Sequence, residues 1–194
     1  MPAPGTLLII CGAIAGVAAR IAASIVARLV NIPDIHCAGR LAINNSGRNA
    51  HVFHYVRRSY LARRRQCGWG LYGTLGVGRG DHEKSKAYRA GNYDFFGAPA
   101  GLVFTIDRQL EKGSWLDYGM FLQTIMLAAR ARGLRTCAEA SIASYPDIVR
   151  RELAIGTEWI VVCGMAMGYA DPDAVVNTFQ PPRITVDDYA VFLD

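Results

Sequence analysis

Residues Trp115–Ala131 carry hydrophobic side chains around most of a helical circumference, and this segment constrains the fold more than any other. A helix with one apolar stripe can lie on a surface, but one that is apolar nearly all round has to be covered on nearly all sides. The pattern predicts a core or interface helix. Ser114 is placed to cap its start, Arg130, Arg132 and Arg135 gather at its end, where the dipole favours cations, and Gly133 supplies the stop. Gly97–Arg108 and Glu158–Tyr169 flank it as short β-branched apolar runs bounded by Gly and Pro, and these read as buried strands.

The chain has 194 residues and 52% hydrophobic content, enough for a buried core in a globular protein. Its net charge of +5 is unevenly divided: residues 1–100 hold 13 Lys/Arg against 4 Asp/Glu, and the remainder 8 against 12. Such a split is no nucleic-acid signature. The densest basic run, Arg57–Arg58 with Arg63–Arg65, is read as a solvated helix face, with phosphate binding as the alternative.

Cys11, Cys37, Cys67, Cys137 and Cys163 are odd in number, widely spaced and without a CxxC pair. They fit neither a zinc site nor a disulfide framework, and a reducing compartment follows. All four histidines precede residue 83, so the more informative half of the chain has no imidazole for a Ser-His-Asp or metal-dependent mechanism. Chemistry there has to come from a cofactor.

Gly5–Ala19 is an uncharged apolar run, too short for a confident membrane span and with no Lys or Arg ahead of it to suggest a signal peptide. It reads as an internal helix, with membrane association through residues 5–30 as the alternative. His51 and His54 could share a helical face, but no accompanying ligand pattern supports a metal site, and an exposed pair is expected. Cys67–Asp81 has glycines at 68, 70, 73, 76, 78 and 80. It lacks a Gly-Lys-Ser/Thr phosphate motif and reads as a flexible cover packed through Trp69, Leu71 and Tyr72. Asp81–Phe96 has the acid-then-base order of a short helix and delivers Asn92 to the entrance of the first strong strand. Asn92 is open to two readings there, a solvated loop residue or a polar ligand contact. Leu134–Ser141 reads as a connector to a second helix, Tyr145–Leu153, whose Pro146 suits a first turn. The tail is Pro-rich and extended through Pro182, then a possible helix or strand, and too apolar to trail free in water. It is expected to dock on its own core or on a second subunit.

The wording GAPAGLVFTIDRQLEKGSWLDYGMFLQTIMLAARARGL, then CAEASIASYPDIVRREL, then WIVVCGMAMGYADPDAVVN resembles the FMN-dependent nitroreductase family. The resemblance runs from about Leu41 onward, and RRRQCGWGLYG and NYDFFGAP bring it nearest to the branch of nitrobenzoate reductases. It implies an α+β sandwich with a central antiparallel-type sheet flanked by helices. It also implies an intertwined homodimer with FMN at the subunit interface and a C-terminal segment reaching across to the other subunit. Residues 1–40 then form an atypical apolar N-terminal segment and 41–194 the nitroreductase-like domain.

Carried over to this sequence, the resemblance places Asn92 at a polar contact to the flavin ring, and Ala138, Glu139 and Ala140 in a connector running over the flavin, where backbone groups approach N5. A solvated carboxylate remains the alternative for Glu139. Arg183, the only basic residue of the tail, stands where family members hold the FMN phosphate; Asn177, Thr178 and Phe179 occupy positions where further basic residues are expected. The implied activity is hydride transfer from NAD(P)H to a nitroaromatic or quinone-like acceptor by a ping-pong mechanism, in the cytoplasm, with no side chain as nucleophile and no metal. An acidic acceptor such as a nitrobenzoate could meet Arg57–Arg65.

The front of the chain departs from the family. An Arg-Ser-x-Arg phosphate motif and a Pro-Ser-Gly-x-Asn-x-Gln-Pro-Trp stretch are both missing from Met1–Arg40. An altered reading frame or rearranged gene end would produce this change, and all three forward frames of the coding DNA would show it. Two further readings stand beside the enzyme: a dimeric scaffold that has lost FMN, and a protein held to a membrane by its N-terminal segment.

Overall fold

The computed structural model describes residues 7–13, 24–28 and 58–193, the first two stretches as strand backbone only. The His51–His54 pair, Arg57, most of the apolar N-terminal segment and the positions of the missing family motifs lie outside the described residues. The chain divides into two compact units, Met1–His54 with Lys86–Ala170, and Tyr55–Ser85 with Asp171–Asp194.

The first unit is built on a five-stranded sheet: β1 (Leu7–Ala13), β2 (Ser24–Arg28), β3 (Ala100–Asp107), β4 (Arg135–Glu139) and β5 (Trp159–Gly168), in the order β2-β1-β3-β5-β4. Only the β1–β3 pairing is parallel; β1–β2, β3–β5 and β4–β5 are antiparallel. The expected strands over Gly97–Arg108 and Glu158–Tyr169 are therefore present as β3 and β5. The internal helix expected over Gly5–Ala19 is not: Leu7–Ala13 is a strand, because a short β-branched apolar run can pair along the apolar edge of β3. No helix of the described residues is long and apolar enough to cross a membrane.

Alternation along β3 divides the core between the two faces of the sheet. Leu102, Phe104 and Ile106 pack with Tyr118, Cys163 and Met165 on one face, while Val103 joins Phe95, Ile142, Val149 and Leu153 on the other. A register shift between Phe104 and Thr105 leaves one extra residue in β5.

The first face is covered by α3 (Lys112–Ala131). It ends as expected, with Gly133 at φ +77° and the bonds Gly133 N–H to Arg130 O (3.0 Å) and Leu134 N–H to Ala129 O (3.0 Å), a Schellman closure. Its start differs: the helix opens at Lys112 after Glu111, so Ser114 lies inside the first turn and caps nothing. The covering expected all round this helix comes from its own chain on one side only. Only Tyr118 and Ala129 are fully buried, because one side of the helix meets the sheet, while Trp115, Leu116, Met120 and Leu127 are exposed. That uncovered side forms a groove of about 460 Å³ lined by Trp115, Leu116, Gly119, Met120, Gln123 and Thr124.

The second face carries α4 (Pro146–Leu153), with Pro146 in the first turn as expected. Arg150 ties it to β5 by donating to the Trp159 carbonyl at 3.1 Å. Within Leu134–Ser141, expected as a connector, Arg135–Glu139 is instead the outer strand β4; its pattern was illegible because only Glu139 of its five residues is fully buried.

In the second unit, α1 (Arg58–Thr74) runs through Gly68, Gly70 and Gly73, where a flexible cover was expected. Tertiary packing overrides the weak helix propensity of glycine here: a Cβ on Gly70 would come within 2.6 Å of the Phe179 ring, so the absent side chain makes room for the tail. Arg79 lies over the Trp69 ring at 4.9 Å. The tail forms two short 3₁₀ turns, Val175–Thr178 and Val186–Asp188, in place of a final helix or strand. Its last apolar residues, among them Val191, Phe192 and Leu193, are exposed. Asp81 opens α2 (His82–Ala90) by accepting the Lys84 N–H at 3.1 Å, and this bond holds its carboxyl below the usual range.

Candidate functional site

The sequence-predicted residues fall in three places. Asn92, half-buried, donates from its side-chain amide to the Arg89 carbonyl at 2.9 Å and so closes the end of α2. Ala138 and Glu139 end β4, and Ala140 begins the 3₁₀ turn Ala140–Ser144. Arg183 is an exposed residue of the second unit.

The turn Gly91–Gly97 and the turn Ala140–Ser144 pack together, so the segment holding Asn92 reaches the end of β4. The Tyr93 hydroxyl donates to the Ser141 carbonyl at 3.3 Å, and the Tyr93 and Tyr145 rings lie 5.7 Å apart. Asp94, next in sequence, faces Glu139 closely enough for its charge to act on that carboxyl.

The backbone holding Asp94 is strained. Phe95 (φ 53°) and Phe96 (φ 52°) are both left-handed, and Gly97 (φ 75°) continues the turn. Left-handed φ at a non-glycine residue costs about 1–2 kcal/mol, so two in succession persist only where packing demands them. The packing is specific: the Phe95 ring is fully buried and occupies the space that a Cβ on Gly101 (2.5 Å) or Gly164 (3.1 Å) would take. The Phe96 ring similarly covers Gly91 and stands 5.5 Å from Tyr88.

Glu139 is the unusual group of this assembly. It is directly opposite Gly164 in the sheet register and 2% exposed, and neither carboxyl oxygen has a hydrogen-bond partner among the described residues. Loss of solvent first, and the nearby Asp94 charge second, push its carboxyl up to about 8. Two neighbouring thiols respond to the same surroundings. Burial pushes Cys163 up to about 11, and partial loss of solvent around the sulfur raises Cys137 although that residue is exposed; in both the Glu139 charge adds to the effect. Cys67, Cys137 and Cys163 are free, and no group of His, Cys, Asp and Glu among the described residues could hold a metal.

The flanking residues have the opposite character. Ala138 and Ala140 are exposed, and β4 is the outer strand of the sheet, so one side of its backbone is unpaired within the sheet. A buried carboxyl, uncommitted among the described residues, thus sits between two small exposed residues on the outer strand of the described sheet. A planar molecule can approach such an edge without side-chain obstruction and find backbone donors and acceptors there.

Of the residues gathered here, Asn92 and Glu139 were singled out from the sequence, whereas Asp94 and the Phe95–Phe96 turn were not. The available signal was an acid set among aromatics ahead of a glycine in NYDFFG; the glycines that accept Phe95 are distant in sequence and gave no local cue.

Residues 42–169 match the model of the Nitroreductase family. A 4-nitrobenzoate reductase from Pseudomonas putida is 42% identical over 144 residues, covering 74% of this chain and 63% of that protein. A 4-nitrobenzoate reductase from Nocardioides sp. (strain LMS-CY) is 39% identical over 154 residues, covering 76% of this chain and 62% of that protein. The chain therefore spans less than two thirds of the length of these relatives. Among solved structures, the FMN and NADPH-dependent nitroreductase NfnB from sphigopyxis sp. strain HMH superposes with a TM-score of 0.77 at 32% identity, covering 84% of this chain and 74% of that one. The FMN-dependent nitroreductase NfnB from Mycobacterium smegmatis, solved in complex with NADPH, gives a TM-score of 0.76 at 28% identity, with coverages of 84% and 74%.

Proposed function

The chain belongs to the nitroreductase family, and from that premise we propose that it is an FMN-dependent oxidoreductase passing a hydride from NAD(P)H to a nitroaromatic acceptor of the nitrobenzoate type. The observation that carries this reading is the end of β4: the outer strand of the described sheet, small exposed residues at 138 and 140, and a buried carboxyl at 139 with both oxygens uncommitted among the described residues. These features suit a planar heteroaromatic ring with polar atoms along one edge. The relatives named 4-nitrobenzoate reductase support the acceptor class, and the FMN- and NADPH-dependent structures support the cofactor and donor.

In this reading FMN supplies the two-electron chemistry that no side chain here offers. The protein's part is positioning and exclusion of water. Backbone groups of Ala138 and Ala140 would hold the ring, Glu139 would offer it a polar contact, and Asn92 fixes the start of the turn that carries Asp94. Arg183, on the tail, is the cation that the family resemblance assigns to the FMN phosphate. The donor leaves before the acceptor enters, so one pocket serves both. No residue acts as a nucleophile and no metal takes part.

The uncovered apolar side of α3 and the exposed apolar end of the tail fit a homodimer. Leu127→Asp, at a residue 61% exposed in the single chain, is expected to shift the mass measured by light scattering from dimer to monomer. Free thiols accord with a cytoplasmic location. The visible absorption spectrum tests the function: protein mixed with FMN should hold the flavin bands through gel filtration, lose them on anaerobic NAD(P)H addition and regain them with 4-nitrobenzoate. A chain that stays colourless with excess FMN would instead be a dimeric scaffold that has lost its cofactor.

A further inference from the structure

We propose that Trp69, Gly73 and Arg79 form a recognition notch for an aromatic carboxylate, whose ring lies along the indole and whose carboxylate meets the Arg79 guanidinium. The choice of ligand rests on the reading above, in which the acceptor is of the nitrobenzoate type; the notch itself belongs to the second unit alone.

The backbone after α1 brings Arg79 back onto the helix. Gly76 at φ +65° and the bond from Val77 N–H to the Tyr72 carbonyl (2.8 Å) make a Schellman closure, and Val77 is buried beneath it. Arg79 then takes the second position of a turn closed by Asp81 N–H on the Gly78 carbonyl at 3.2 Å. Its guanidinium is thereby held 4.9 Å from the centre of the Trp69 ring. Tyr72 meets the same indole edge-on, with ring centres 6.5 Å apart. The indole is thus held by two neighbours, yet Trp69 remains 45% exposed. The space beside it is open: Gly73 lies one helical turn after Trp69 on the same side of α1, and a Cβ there would meet nothing within 4 Å. A Cβ on Gly70 would instead strike the Phe179 ring. Packing therefore accounts for glycine at 70 but not at 73, where alanine would serve the helix better.

Charge selects the occupant. The Arg79 side chain makes no hydrogen bond or ion pair among the described residues. Asp81, the acid nearest to it in sequence, is taken by Lys84 through the backbone N–H at 3.1 Å and the ammonium at 3.2 Å. A guanidinium fixed over an indole, with its donor fork unspent, matches a carboxylate attached to a flat ring: the fork serves the two oxygens and the indole serves the ring. Of the arginine run that the sequence offered for this role, Arg63 also lies over a ring, that of Tyr60, but at 5.7 Å and with no glycine one turn away.

Equilibrium dialysis of the full chain with FMN present, using 4-nitrobenzoate and the uncharged 4-nitrobenzamide, tests the notch. The wild type should bind the acid more tightly than the amide. Arg79→Ala should cut that preference about tenfold, with Arg79→Lys between the two, because a lysine keeps the charge and loses the fork. Gly73→Leu should weaken both ligands while melting no lower than the wild type, which separates a filled notch from a damaged fold. No binding of either ligand, equal binding of both by the wild type, or a preference that survives in Arg79→Ala would overturn the proposal. Turnover separates the notch from the flavin reading. Where that reading holds, Arg79→Ala should also cut the kcat/KM ratio of acid over amide about tenfold. A chain that binds the acid through Arg79 and never reduces it would overturn the oxidoreductase and leave the notch standing. Reduction with that ratio unmoved by Arg79→Ala would leave the oxidoreductase standing and overturn the notch as its acceptor site.

Discussion

Tyr118 and Glu139 are each 2% exposed, on opposite faces of one sheet, yet their polar atoms fare differently. The Tyr118 hydroxyl donates to the Thr105 carbonyl at 2.9 Å, so the α3 face recovers what burial took from it. The Glu139 carboxyl recovers nothing among the described residues, and the face that carries it also holds two left-handed phenylalanines. Buried polar groups are normally bonded, and an exception in a well-packed region marks a place kept for something else. The α3 face recovers the cost of burying its polar group and the β4 end of the other face does not, the contrast that the proposed flavin site at that end calls for.

The comparison can be broken most forcefully at its packing. Phe95→Ala removes a fully buried ring and the lock on the Asp94 turn, and should lower stability by about 3–5 kcal/mol in chemical denaturation. Gly164→Ala is milder: the new Cβ would lie 2.6 Å from Ile142 and 3.1 Å from Phe95, so a loss of about 1–3 kcal/mol is expected, with weaker FMN binding as the turn shifts.

The next two substitutions sharpen the contrast, because they should act in opposite directions. Glu139 is raised from 4.5 to about 8, so the folded chain keeps a proton that the unfolded chain releases as pH rises through that window. Stability conferred by the group therefore falls between those values, and Glu139→Gln should stabilise the protein at pH 8 by on the order of 2 kcal/mol, with little effect at pH 4. Tyr118→Phe leaves the Thr105 carbonyl without its donor and should cost about 1 kcal/mol at either pH. If both substitutions destabilised at pH 8, the two faces would be alike and Glu139 a structural residue.

What the sequence revealed follows the range of the interactions concerned. Gly133, the arginines after the α3 helix and Pro146 act within a turn, and the helix ends they mark are where the structure has them. Ser114 misled because the helix begins three residues earlier than a cap at that position implies, taking in Lys112, Gly113 and Ser114 itself. β4 has five residues on a sheet edge and shows no clean alternation. The left-handed φ of Phe95 and the continuity of α1 through its glycines depend on rings and gaps brought together from far apart, Phe95 with Gly101 and Gly164, Phe179 with Gly70. Glu139 drew attention through family resemblance alone, and its isolation is a property of three segments that no local pattern encodes.

Hydrogen exchange read by mass spectrometry, with and without FMN, tests most directly whether the end of β4 is the flavin site. The account predicts that FMN slows exchange of backbone amides in residues 135–145, the strand edge and the turn after it, while amides of β3 in the sheet interior change little. Tight FMN binding that leaves 135–145 unprotected and shields another part of the chain would contradict it.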